Sequence, residues 1–388
     1  MIDKQEEKIK ALFLCTWYPN RYDAMAGLSA FKQAEMMAHS CDVRVVSVYA
    51  DAQIKRKEIV EQNINSFEEI VIYYPKYKIK IFNIIVFFIA YFNAYKNLKK
   101  KNWAPDIIHV NVLTRTGFMA YLYKTFTKTP YIITERWSRY LEQSNRFKGF
   151  FRKKITKLVV RNAIAVMPVS NVLKSAMLNH NLKNNNYIVV NNVVDDFFFD
   201  NIKKESRQKR RILHISCFDE RAKNICGLLN ATQLLSNIRT DFELVIIGAG
   251  KDFALCYTHY ENLNFPENTV RFLGETPPQE VSRWLQNSDC SVIFSNYETA
   301  CISVLESLAS GVPIIGTPTG IMPEVINDSN GFIVNFNDVV DLADKMNFIL
   351  NNLNQYDSNK IREAAKIFSY ENIGKQLFEI YKNVLKMK

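Results

Sequence analysis

Short apolar runs recur along this chain, and nearly every one is followed by a stretch with helical spacing. Residues 11–16 (ALFLCT), 43–48, 70–74, 106–110 (DIIHV), 131–134 and 164–169 read as strands. Helices are expected at 28–39, about 80–100, 117–126 and after Ser170, a candidate N-cap. Strands apolar on both faces and alternating with helices require a parallel sheet covered on both sides. The pattern stops at about 195–211, where KKESRQKRR reads as a solvated linker. It restarts at 212–216 and continues through strands at 242–247, 270–273, 291–294 and 312–315. Thr276-Pro-Pro-Gln279 has the form of a capping box, and a helix over 302–310 should stop at Gly311. Two doubly wound α/β halves follow, and 388 residues suffice to give each its own core.

Charge separates the halves. Residues 1–197 hold 30 Lys and Arg against 16 Asp and Glu, and residues 198–388 hold 20 against 23. The basic first half points to an anionic surface or ligand, with an anionic membrane as one candidate; no motif supports nucleic acid. The segment 76–101 (KYKIKIFNIIVFFIAYFNAYKNLKKK) has an aromatic centre between lysines. It reads equally as a helix resting on a membrane and as a buried crossover helix. Its apolar run, 81–92, is interrupted by Asn83 and is short of the roughly 20 residues that a span needs. The N-terminus lacks a signal-peptide pattern, and the seven cysteines form no CxxC pair and no Cys/His cluster with zinc spacing. A reducing, cytoplasmic setting is expected, with peripheral attachment to the inner face of the membrane as an option, and no metal site.

The strongest chemical signal is residues 297–306, YETACISVLE. Glu298 follows a strand, and Glu306 lies eight positions beyond it, with seven residues between, inside the next helix. The amides of Ala300, Cys301 and Ile302 fall at the helix start, where unpaired N–H groups favour a phosphate. Carboxylates accept hydrogen bonds from hydroxyls, so the spacing suits a ligand with both a diphosphate and sugar rings. Cys301 at a helix N-terminus is a setting that lowers a thiol pKa.

YETACISVLESLASGVPIIGT resembles the E-x7-E signature of the retaining family 4 glycosyltransferases (glycosyl transferases group 1). ILHISCFDERAKN, LVIIGAG, VRFLGETP, SDCSVIFS and PTGIMPEVINDSNGFIV resemble that family's nucleotide-domain landmarks, in order. TWYPNRYDAMAGLSAFKQA, IIHVN, YIITERWS and VVNNVVDDFF resemble landmarks of the first domain. The resemblance implies a GT-B fold: two Rossmann-like, doubly wound domains facing a central cleft. Residues 1–197 would form the acceptor-side domain and 198–367 the nucleotide-sugar domain, with 368–388 a helix crossing back to the first.

It also implies roles. Glu298 would hold the transferred sugar, Glu306 the ribose hydroxyls, and Lys223 would neutralise the donor diphosphate. Gly27 would let the N-terminal loop approach the donor, and Gly320 would lie near the nucleotide. The chain departs from the family at two positions. Cys217 stands where an Arg is common, with Arg221 nearby as a substitute. Arg136, preceded by Glu135, stands where a His is common; an Arg cannot act as a base but can pair with a phosphate or a carboxylated sugar, and Glu135 would instead serve the acceptor. His109, at a strand's C-terminal end, joins Glu135 and Arg136 as an acceptor-side candidate. The expectation is a retaining, metal-independent hexosyltransferase with no cofactor and no Asp-x-Asp pair. Its donor would be UDP- or GDP-linked and its acceptor a glycan or lipid-linked sugar in cell-surface polysaccharide assembly. A GT-B nucleotide-sugar epimerase and a nucleotide-binding partner without activity are the alternatives.

Overall fold

The computed structural model describes residues 8–64, 66–113, 115–202 and 205–386. Most of the N-terminal segment, Lys203 and Lys204 of the expected linker, and Met387, the expected end of the last helix, lie outside the described residues. Two compact units form. One takes the chain through Val169, Leu173–Val193 and the residues from Ile373 on; the other takes Ser170–Val172 and Val194–Asn372.

The first unit holds β1 (Lys10–Cys15), α1 (Leu28–Ala38), β2 (Asp42–Asp51), β3 (Glu58–Ile64), β4 (Phe67–Pro75), α2 (Lys80–Lys100), β5 (Ile107–Asn111), α3 (Arg115–Thr127), β6 (Tyr131–Glu135), α4 (Phe150–Asn162) and β7 (Ala165–Pro168). α5 (Asn171–Asn179) follows. The strand order is β3-β4-β2-β1-β5-β6-β7, parallel except where β3 pairs antiparallel with β4. β3 was not foreseen. Its EIVEQNI is exposed along nearly its whole length, so it lacks the apolar run that marks the buried strands.

The second unit holds β8 (Arg210–Ile215), α6 (Glu220–Lys223), α7 (Ile225–Ser236), β9 (Phe242–Ile247), α8 (Phe253–Asn262), β10 (Val270–Gly274), α9 (Pro278–Gln286), β11 (Cys290–Ile293), α10 (Ile302–Ala309), β12 (Ile314–Gly316), α11 (Met322–Val325), β13 (Gly331–Ile333), α12 (Val339–Asn351) and α13 (Ser358–Ala365). Its order, β10-β9-β8-β11-β12-β13, is the 3-2-1-4-5-6 pattern of a dinucleotide-type sheet. The core is the aliphatic interior of the strands, with Leu228, Leu305, Leu342 and Met346 closing on them from the helices. Gly311 ends α10 in the left-handed region, as its sequence predicts. The capping box is not formed: Pro277 is the N-cap of α9, and the Thr276 hydroxyl donates to Gly274 O at 3.4 Å.

α14 (Tyr370–Lys386) closes the chain, and its Tyr381 packs in the first unit beside His109. α2, at 21 residues, is long and apolar enough to cross a membrane by length and composition, contrary to the estimate from its interrupted run. It is nonetheless an integral part of the unit. Phe87, Tyr91, Tyr95 and Leu98 are buried, and the Tyr91 hydroxyl donates to Cys15 O at 3.0 Å.

Candidate active site

In the second unit the strand order reverses between β8 and β11, the place in such a sheet where ligands gather. The loops leaving these two strands carry the predicted chemistry. Asn296 and Tyr297 donate backbone N–H bonds to Ala222 O at 2.8 and 3.5 Å, and the Asn296 amide donates to Arg221 O at 3.1 Å. α6 is thereby docked on the β11 loop. That contact brings Lys223 Nζ to 2.5 Å from Glu298 Oε1, 75 residues along the chain, with side chains only 16% and 10% exposed.

The pair is embedded in hydrogen bonds. The Ser295 hydroxyl donates to the same Glu298 oxygen at 3.0 Å, and the Glu298 N–H donates to Thr319 Oγ1 at 3.0 Å. Burial works to lower the Lys223 pKa, but the charge of the Glu298 carboxylate and its hydrogen bond outweigh it and hold the ammonium above its usual value. Beneath the pair, His214 Nδ1 donates to Val292 O at 2.8 Å, which leaves Nε2 to accept from the Ser216 hydroxyl at 2.7 Å. Burial lowers this imidazole to about 4, so it stays neutral and ties β8 to β11.

Gly320 backs the carboxylate. Its φ is +60°, and a Cβ there would stand 2.8 Å from Glu298 Cβ and 3.2 Å from Ala300 O. Cys301 is the N-cap of α10, at φ 64° and ψ 83°. A side chain in the left-handed region is uncommon, and such outliers concentrate at functional sites. The helix begins at Ile302, so the amides of Ile302 and Ser303 precede its first backbone bond, which the Val304 N–H donates to Cys301 O at 3.2 Å. Ala300 lies outside the helix, and its carbonyl accepts from Ile321 N–H at 3.2 Å. The expectation that Cys301 is acidified is overturned: burial, with Glu298 adding to it, pushes the thiol up to about 12. Glu306 sits partly buried in the second turn of α10. Arg221 is exposed on α6, two positions from Lys223, and does not share its face.

In the first unit the order reverses between β1 and β5. Gly27, at φ +64°, presses on the β1 loop so closely that a Cβ would lie 2.2 Å from Trp17 O. Arg136 follows β6. Its guanidinium donates to Asn111 Oδ1, to Asn192 Oδ1 at 3.0 Å and to Ser29 O at 3.5 Å. Burial lowers it to about 10, which leaves it a cation at neutral pH.

Two acceptor-side candidates are corrected. His109 is fully buried, with Nδ1 on the Tyr381 hydroxyl at 2.7 Å and Nε2 on the Thr134 hydroxyl at 2.6 Å. Neither ring nitrogen is left for a ligand, and burial together with Arg136 lowers its pKa well below the usual value. Glu135 is also fully buried. It accepts N–H bonds from Leu113, Arg136 and Trp137 at 2.8–2.9 Å, and so organises the strand-end loops from inside. Sequence reasoning missed Trp17 and Trp137, although both lie within quoted motifs. Their rings meet edge to face at 4.7 Å, and Trp17 is 38% exposed. Arg139 stands 3.1 Å over Trp137.

Residues 196–368 match the family model for glycosyl transferases group 1, and residues 33–193 match that for the glycosyl transferase 4-like domain. The chain belongs to the group 1 glycosyltransferases. Lys223, Glu298, Glu306 and Gly320 all fall inside the first of these matches. N-acetyl-alpha-D-glucosaminyl L-malate synthase of Bacillus anthracis is 30% identical over 194 residues, which cover 48% of this glycosyltransferase and about half (49%) of that protein. Sucrose-phosphate synthase from Thermosynechococcus elongatus superimposes with a TM-score of 0.79 at 17% identity, covering 98% of this chain and 100% of the other. HepE from Anabaena, solved with UDP and glucose, gives 0.71 at 14% identity, covering 97% and 100%. The fold of this glycosyltransferase is GT-B.

Proposed function

We propose that this glycosyltransferase moves a hexose from a UDP- or GDP-linked donor to a glycan or lipid-linked acceptor with retention of anomeric configuration, in cell-surface polysaccharide assembly. The observation that carries the donor assignment is the buried Lys223–Glu298 pair at the strand-order reversal, beside the α10 N-terminus. Departure of a nucleoside diphosphate builds negative charge on the leaving group, and fixed cations and helix-end amides stabilise it. Lys223 and the first amides of α10 supply both, so neutralisation of the diphosphate by these groups without a metal is part of the proposal. Glu298 holds the transferred sugar and Glu306 the ribose hydroxyls. On the first unit, the exposed Trp17 ring offers an apolar face for a sugar, and Arg136 offers a nearby cation.

A cytoplasmic enzyme resting on an anionic membrane is the setting we propose. Two features of the first unit favour it. α2 turns Ile81, Phe82, Ile85, Ile89 and Phe92 outward, and α4 exposes Phe150 and Phe151 beside Arg152, Lys153 and Lys154. Apolar side chains beside lysines suit the headgroup boundary.

Thermal shift with UDP, GDP, ADP and their sugar conjugates tests the donor site. A ligand at 100 times its dissociation constant adds about 2.7 kcal/mol. One nucleotide class should stabilise the wild type and lose its effect on Glu306→Ala. If no class binds, the donor assignment falls. Binding without transfer to a broad acceptor panel would favour a nucleotide-binding partner. Inverted product from an α-linked donor would refute retention, and turnover that is lost in a chelator and restored by magnesium or manganese would refute metal independence.

A further inference from the structure

Three potential ligands converge behind the donor loop, outside the groups assigned above. Glu220 opens α6, Cys226 lies in the first turn of α7, and Cys256 lies in α8. Their ligand atoms all fall within 4.8 Å of one another. The Cys256 thiol donates to Glu220 Oε2 at 3.5 Å. The carboxylate is held in place by backbone N–H bonds, from Ile225 at 2.7 Å and from Cys226 at 3.2 Å.

These distances have a chemical meaning. A tetrahedral zinc ion takes sulfur at about 2.3 Å and carboxylate oxygen at about 2.0 Å, which sets the S···O edge at roughly 3.5 Å and the S···S edge at roughly 3.8 Å. The Cys256–Glu220 separation equals the first edge, and the cluster's span admits the second. Two soft thiolates and one carboxylate favour zinc or cobalt over magnesium or calcium. The amides on Glu220 orient it as outer-shell bonds orient a ligating carboxylate.

We propose that Glu220, Cys226 and Cys256 form a binding site for a thiophilic divalent cation of the zinc class, separate from the sugar-transfer chemistry. Binding displaces the two thiol protons. Cys226 is only partly buried, which leaves one side of the site open for a fourth ligand. Because α6 ends at Lys223, the ion clamps the diphosphate lysine's helix to α7 and α8.

The test uses the full chain, reduced and stripped with a chelator, then titrated with cobalt(II). One equivalent should give a thiolate-to-cobalt charge-transfer band and tetrahedral d–d bands, displaced by zinc. Cys226→Ser and Cys256→Ser should each abolish the thiolate band, and Cys217→Ser, an exposed thiol outside the cluster, should leave it unchanged. If buried Cys256→Ser fails to fold, the partly exposed Cys226→Ser and Glu220→Gln give the reading. No band in folded wild type, or a band that survives loss of Cys226 or depends on Cys217, overturns the site. Neither result depends on donor binding, so the assignment of the donor pocket stands or falls separately.

Discussion

Replacing Lys223 by Met while keeping Glu298 removes the cation from a buried ion pair and leaves a carboxylate with the Ser295 hydroxyl as its remaining side-chain donor. Breaking one side of such a pair costs about 3–5 kcal/mol. The retained Ser295 bond and the 10–16% residual exposure favour the lower end. At roughly 2–4 °C per kcal/mol for a unit of this size, unfolding of the second unit should fall by about 6–12 °C. Glu298→Gln should cost a similar amount, because it strands a buried ammonium. The double variant K223M/E298Q removes both charges and should be no less stable than either single one. The coupling, read from urea unfolding of all four proteins, should exceed about 2 kcal/mol. Nucleoside diphosphate binding separates the residues further. E298Q removes the group that competes for the lysine and should bind the diphosphate at least as tightly as wild type. K223M should weaken it by about tenfold or more, the scale of a charge-assisted hydrogen bond. If the single effects simply add, within about 0.5 kcal/mol, the two side chains are not a coupled pair and the account fails.

Three further outcomes follow from the same geometry. The unfolded chain takes up a proton at His214 near pH 6.5, whereas the folded chain refuses it until about 4, so stability falls as pH drops through that window by about 1.4 kcal/mol per unit. An NMR titration that places His214 near 6.5 in the folded protein would contradict this. Gly320→Ala puts a Cβ against Glu298 Cβ and Ala300 O at a positive φ, and should depress turnover more than it depresses nucleotide binding. Unchanged kcat would show that Glu298 is not positioned from this side. Tyr381→Phe deletes the hydroxyl on His109 Nδ1 and should destabilise the first unit by about 1–3 kcal/mol, checked by urea unfolding with nucleotide binding unaffected.

Legibility in the sequence follows how local each cause is. Buried parallel strands announce themselves because an apolar run of five or six residues has no other use, and β1, β6 and β9 lie within a residue of their expected limits. β3 escaped because an exposed antiparallel edge strand carries no such run. The capping box failed because the Thr276 hydroxyl turns back onto Gly274 O and Pro277 takes the cap position. Glu298 and Glu306 were singled out by a strand end and the helix after it, whereas Lys223 was legible only through the order of many weak motifs, since nothing within 75 residues of spacing says that a lysine and a carboxylate meet.

Burial is what a linear reading weighs worst, and the errors at the sites show it. Cys301 sits at a helix start, which acidifies an exposed thiol. Here desolvation and the neighbouring Glu298 win, and the pKa rises. His109 stands at the ligand-gathering edge of its sheet, yet Thr134 and Tyr381 use both nitrogens, the second of them from a helix 272 residues away. Glu135 looks available to an acceptor, yet three amides consume it. The proposed cation site presents the converse case. Cys226 and Cys256 have no metal-motif spacing, so a search along the chain passes over them. The sheet topology places α7 and α8 side by side, and the carboxylate that caps α7 then completes the set. A ligand set assembled from three helices carries no spacing rule, so its test is metal titration of the folded chain.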